Sequence, residues 1–160
     1  MRAILDHCTD LPIEQVRHGT LLVKEGQTTG RVYVLVEGRV EVLRGTTQVT
    51  VLLEPGSLIG EMSILLGVPH TATARALDDI RVHVINEAAA FFSAHPALSW
   101  LVARLLANRL NAATTYLVDL THQFAGSGDH LEMVGEVLET LIHQQDRDFL
   151  PGSDRDPGRS

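Results

Sequence analysis

A jelly roll of short strands followed by one long helix is the fold class that this 160-residue sequence predicts. Three observations lead there. Between Ile13 and Ile85, short apolar runs recur about every 8–12 residues, each bounded by glycine or a polar turn. From Glu87 onward the apolar period changes from two to about 3.6. The single cysteine, Cys8, excludes an internal disulfide and any cysteine-based zinc cluster, while 44% hydrophobic residues suffice for an ordinary core.

Residues 1–12 offer a short helix or an arm that ends at Leu11-Pro12. Ile13–Val16 and Leu21–Val23 read as short strands separated by His18-Gly19. Arg31–Glu37 is the strongest strand signal, because Val32, Tyr33, Val34, Leu35 and Val36 are β-branched, aromatic or aliphatic throughout. Gly38 turns it into Arg39–Leu43, which alternates polar and apolar as a half-buried strand does. A Gly-Thr-Thr turn returns the chain through Val49, Val51 and Leu53. Ala72–Ala76 and Ile80–Ile85 supply two more strands.

Between them, residues 56–73 behave differently. A Pro-Gly turn leads into a short apolar strand, then Gly60-Glu61 opens a helix of about one and a half turns. Gly67 stops that helix, and Pro69 forces the chain extended again. Gly60 permits a close backbone approach, Glu61 sets a carboxylate at the helix mouth, and the amides of Met62 and Ser63 point outward as donors suited to an anion. A carboxylate beside an anion site makes sense for a ligand that carries both hydroxyls and a phosphate. Helix-dipole stabilisation is the ordinary alternative for Glu61 taken alone.

The helical part begins with Glu87–Ala94, stopped before Pro96. A long helix over 96–124 follows. In it Ser99, Ala103, Leu106, Leu110, Ala113, Leu117, Leu120 and Phe124 step by fours and threes. This is an a/d seam sustained for about three and a half heptads. It serves either a parallel coiled-coil homodimer or packing within the chain, and its regularity favours the dimer, since a covering helix shows a broader stripe. Ala125 to Gly128 is a break. Asp129, with Glu132 three residues on, reads as a reciprocal N-cap for an amphipathic helix over 129–147. Residues 148–160 have the composition of a disordered tail.

The stretch 56–73 resembles the phosphate-binding cassette of the cyclic-nucleotide-binding domain family, which includes catabolite-activator-type regulators, kinase regulatory subunits and gated channels. The quoted residues are Gly60-Glu61 and, nine positions after the glutamate, Pro69-His70-Thr71-Ala72-Thr73. Gly19-Thr20, Leu22 and Glu25-Gly26 also match the family's opening. The resemblance covers residues 11–124 and implies a β-roll with its cassette over 1–95, followed by a dimerisation helix. It also implies ligand-binding roles. Gly60-Glu61 would hold the ribose 2′-hydroxyl, the amide of Ser63 and the hydroxyl of Thr71 would meet the cyclic phosphate, and Thr114 would reach the base. A hydroxyl at Thr71 further goes with tolerance of guanine. The departure is His70, which stands where the family's motif carries an arginine.

Arginine donates two parallel charged hydrogen bonds and keeps its charge, whereas histidine is shorter and mostly neutral near pH 7. Losing a charged hydrogen bond costs on the order of 1.5–3 kcal/mol. The alternatives are an exposed histidine in a degenerate pocket and, for Thr114, an exposed threonine beside the seam.

Other classes are excluded on residues. The eight histidines show no HxH or HExxH spacing, so no metal site is expected. No Ser-His-Asp pattern, Walker loop or GxGxxG is present, so neither catalysis nor a cofactor is expected. Net charge is −7, and residues 129–160 carry eight acidic against three basic side chains, so direct nucleic-acid binding is not expected. No apolar run approaches the roughly 20 residues of a membrane span, and Met1–Asp10 lack a signal pattern, which makes a cytoplasmic protein the default. Together these observations point to a stand-alone receptor for cAMP or cGMP that signals through its C-terminal helices to an effector protein. The reading from another class is a dimeric interaction scaffold that binds no nucleotide.

Overall fold

The computed structural model describes residues 2–125 and 128–143; the expected tail at 148–160 and the helix end at 144–147 lie outside the described residues. The chain forms the expected jelly roll of eight antiparallel strands. After a single turn of helix, α1 (Arg2–Leu5), come β1 (Ile13–Val16), β2 (Leu21–Val23), β3 (Val32–Glu37), β4 (Val40–Arg44), β5 (Thr47–Leu52) and β6 (Leu58–Ile59). The helix α2 (Glu61–Leu66) separates these from β7 (Thr73–Ala76) and β8 (Ile80–Ile85). Two four-stranded sheets result, in the orders β1-β8-β3-β6 and β2-β7-β4-β5.

The continuous apolar run of β3 has a direct cause. Tyr33 and Leu35 face the core between the sheets, with Leu22, Val40, Ile59, Ala74, Ile80, Val82 and Val84. Val32 and Val34 alternate onto the other face and are fully buried as well. A strand covered on both sides has no polar positions to alternate with. β8 pairs with β1 along one edge and with β3 along the other, with Val34 opposite His83 and Val32 opposite Ile85. Ile4 of α1, Cys8 beyond its end, and Ala88, Phe92 and Leu98 of later helices are also buried.

Two register features place the cassette. Tyr33 pairs with Ile59 and Val34 with Leu58, which delivers the chain to Gly60 at the mouth of the roll. On the other sheet Thr73 pairs with Leu43, so the chain leaving the cassette is anchored to β4. The segment 60–72 is therefore held at both ends by sheet.

Helix α3 (Ala88–Ala94) and the long helix α4 (Pro96–Gln123) follow, then α5 (Gly128–His143). The described chain divides into two compact units after Leu101. In the second unit Leu110 is 46% exposed, and Ala103 and Ala113 are exposed too. Leu106, Leu117 and Leu120 are half-buried, and Phe124, just past the helix end, is exposed. α5 starts at Gly128, one residue before the expected cap at Asp129, whose side chain lies outside the described residues. Among the described residues no single helix is long and apolar enough to cross a membrane.

Candidate functional site

Gly60 ends β6 in the left-handed region, with φ 90°, and turns the strand directly into α2. A β-carbon there would stand 3.0 Å from the Arg31 carbonyl oxygen, 3.2 Å from His70 Cε1 and 3.4 Å from Val23 Cγ1. Backbone angle and space both call for glycine. The helix starts without a side-chain cap, and its first residue, Glu61, is 5% exposed. At the other end Gly67, with φ 66°, donates its N–H to the Ser63 carbonyl, which also accepts the N–H of Val68 at 3.0 Å. That closure limits α2 to six residues.

The chain then returns past Pro69 to His70, which is bound to the loop between β2 and β3. Its N–H donates to the Gln27 carbonyl at 2.9 Å, and its carbonyl accepts the Gly26 N–H at 2.8 Å. The imidazole lies inward and is only 3% exposed. Its Nε2 is 2.7 Å from Thr29 Oγ1 and its Nδ1 is 3.0 Å from Ser63 Oγ. The alternative of an exposed histidine in this position therefore does not hold. Three tertiary hydrogen bonds to the loop, two from the backbone and one from the ring, draw it in.

The partners assign the protons. Ser63 Oγ–H donates to the Gly60 carbonyl at 3.0 Å, so its oxygen is open to accept from Nδ1–H. Thr29 Oγ1 accepts the Arg31 N–H at 3.2 Å and can give its own hydroxyl hydrogen to Nε2. Every donor finds an acceptor when the ring is neutral with the proton on Nδ1. Desolvation acts in the same direction and lowers the His70 pKa from its ordinary value.

The predicted residues divide into two groups. Gly60, Glu61, Met62, Ser63, His70 and Thr71 come together in one segment, with Glu61, Ser63 and His70 buried, Thr71 half-buried and Met62 40% exposed. Thr114 lies in α4, half-buried, in the second unit. Thr29 was not legible as a site residue. It is 41 positions from His70, and nothing in a Gln-Thr-Thr-Gly loop marks one threonine for this contact. A cavity of about 270 Å³ lies on the flank of the cassette, lined by residues 28–30, Ser63, Ile64, residues 67–69 and Ala89 of α3. It adjoins the His70 network through Thr29 and Ser63, and Glu61 is not part of its wall. Among the described residues, no group of three histidine, cysteine or carboxylate side chains stands close enough to hold a metal ion.

Comparisons with known proteins give the same picture. The family model described as "Cyclic nucleotide-binding domain" matches residues 13–92. A CRP-like cAMP-activated global transcriptional regulator of Mycobacterium tuberculosis is 27% identical over 115 residues, which are 68% of this chain and 51% of that protein. The chain thus spans about half the length of the curated relatives it matches. Catabolite activator protein of Thermus thermophilus superposes with a TM-score of 0.61 at 25% identity, over 75% of this chain and 60% of that one. The N-terminal domain of a transcriptional regulator from Streptomyces coelicolor A3(2) gives 0.51 at 24% identity, over 70% and 82%, a likeness of fold alone.

Proposed function

The chain belongs to the cyclic nucleotide-binding domain family, and we propose that it is a receptor for a cyclic nucleotide, cAMP or cGMP. The observation that carries this reading is the meeting of Gly60 and His70. The left-handed glycine before Glu61 and the residue nine positions after the glutamate are close neighbours, so that a β-carbon on Gly60 would stand 3.2 Å from His70 Cε1. Glu61 would accept the ribose 2′-hydroxyl, and the amide of Ser63 and the hydroxyl of Thr71 would donate to the cyclic phosphate. The Mycobacterium relative is a cAMP-activated regulator, and the same ligand class comes to this chain by that likeness. Thr114 would contact the base.

Output would run through the helices. The exposed seam of α4, with Ala103, Leu110 and Ala113, supports a homodimer, and the acidic amphipathic α5 supports docking to an effector protein. A ligand shifts such a device only by its differential affinity for the two arrangements of the helices. Regulation rather than catalysis is the role of the family. A second reading, a dimeric scaffold that binds no nucleotide, is favoured by one observation, the His70 ring already satisfied by Thr29 and Ser63.

Calorimetric titration separates the two. The wild-type chain should release or take up heat with cyclic nucleotide, and Glu61→Ala should lose it. No heat and no thermal shift with wild type at millimolar nucleotide would sink the receptor reading and leave the scaffold.

A further inference from the structure

The apolar face of α5 finds no cover on its own chain. Val137 is 42% and Leu141 38% exposed, and Val134 and Leu138 are half-buried. Among the described residues no strand or other helix packs lengthwise on α5. A helix of 16 residues is marginal in water without a packed face. Building on the homodimer reading of α4, we infer that α5 pairs with the α5 of a second copy, parallel and in register. The dimer seam then continues past the end of α4, and only the acidic face of α5 is left for an effector.

Three observations select a second copy as the occupant. The first is phase. Leu110, Leu117, Phe124, Leu131 and Leu138 follow one another at intervals of seven, three of them up to the end of α4 and two in α5. Val134 and Leu141 likewise continue the alternate positions of Leu106 and Leu120. Leu131, Val134, Leu138 and Leu141 are therefore a, d, a and d of the heptad count that describes α4. A helix made for an unrelated surface could carry its stripe in any phase. This one keeps the phase of α4 across the turn at Phe124 and Ala125.

The second is charge. Asp129, Glu132, Glu136 and Glu139 all fall on positions b and f, the outside of such a pair. Two identical acidic helices placed side by side meet like-charge repulsion wherever carboxylates flank the seam. Here positions e and g of α5 hold none. The third is Val137 itself, which falls at g. That position borders the seam and is covered on pairing, which accounts for an apolar side chain left exposed on the single chain. Met133, at c, stays outside.

The test uses the full chain, with a cysteine at a seam position or at an outer one, Leu138→Cys or Glu136→Cys, each combined with Cys8→Ala. Mild oxidation should turn Leu138→Cys into a covalent dimer on a denaturing gel, because a parallel pair in register brings position 138 of both copies within disulfide reach. Glu136→Cys should remain a single chain. In sedimentation, with Cys8 left in place, Leu138→Glu should raise the dimer dissociation constant by about tenfold or more, whereas Glu136→Lys should leave it within about twofold. Three results with a dimeric wild type overturn the inference and leave the α4 homodimer standing: no cross-link through position 138, equal cross-linking through both positions, or an unchanged dissociation constant in Leu138→Glu. A wild-type chain that sediments as a monomer at every concentration removes both.

Discussion

Leu35 in β3 is fully buried, while Leu110 in the middle of α4 is 46% exposed. The two leucines sit in equally strong apolar patterns, one an unbroken run and one a stripe of period 3.5. Leu35 has its neighbours within the roll, since β3 is hydrogen-bonded to β8 and β6 and faces the opposite sheet. Leu110 belongs to a narrow stripe that fits a second helix. Regular apolar spacing thus marks a face suited to being covered, and does not say by which chain.

The largest test of this contrast is truncation. Leu35→Ala should cost the β-roll about 2–5 kcal/mol in urea denaturation, as deletion of a fully buried leucine does. Leu110→Glu should leave the thermal midpoint of the roll where it was and, on the proposed homodimer, give a monomer in sedimentation. A roll destabilised equally by both changes would break the comparison, because the seam would then be part of the same core.

A smaller effect is expected where the loop meets the cassette. Thr29→Val keeps the shape of the side chain and removes the hydroxyl that serves His70 Nε2. About 1 kcal/mol of stability should go with it. No loss at all would mean that the loop and cassette are tied by the backbone bonds of Gly26 and His70 alone.

The smallest effect is a slope with pH. Desolvation holds the folded His70 pKa below its ordinary 6.5, so the unfolded chain takes up its proton first as pH falls. This contribution to stability is therefore complete above about that value and is lost progressively below it, down to the lowered folded pKa. Urea midpoints measured above and below it should show the decline in wild type, and His70→Gln should lack that part of it. A wild-type midpoint that rises on acidification would mean that the ring is held as a cation.

Much of the molecule was legible in advance. Eight strands could be placed because glycines and polar turns interrupt the apolar runs at each corner, and the strongest run, Val32–Val36, became the strand covered on both faces. The cassette could be placed because its glycines, proline and glutamate each impose a backbone or charge condition of their own. The environment of His70 was not legible. Its burial depends on Gln27, Thr29 and Gly26, more than forty positions earlier, and threonine and glutamine carry no local signal of that pairing.

By itself the sequence determined the elements and marked the segment in which a site is proposed. Glycine conformations, β-branched runs and helical spacing are local properties, and they act before any tertiary contact forms. Only the folded chain decided that His70 turns inward and that its ring is neutral, with both nitrogens used. Solvation and hydrogen-bond partners decide a histidine's charge, and both come from residues that the chain brings together only on folding.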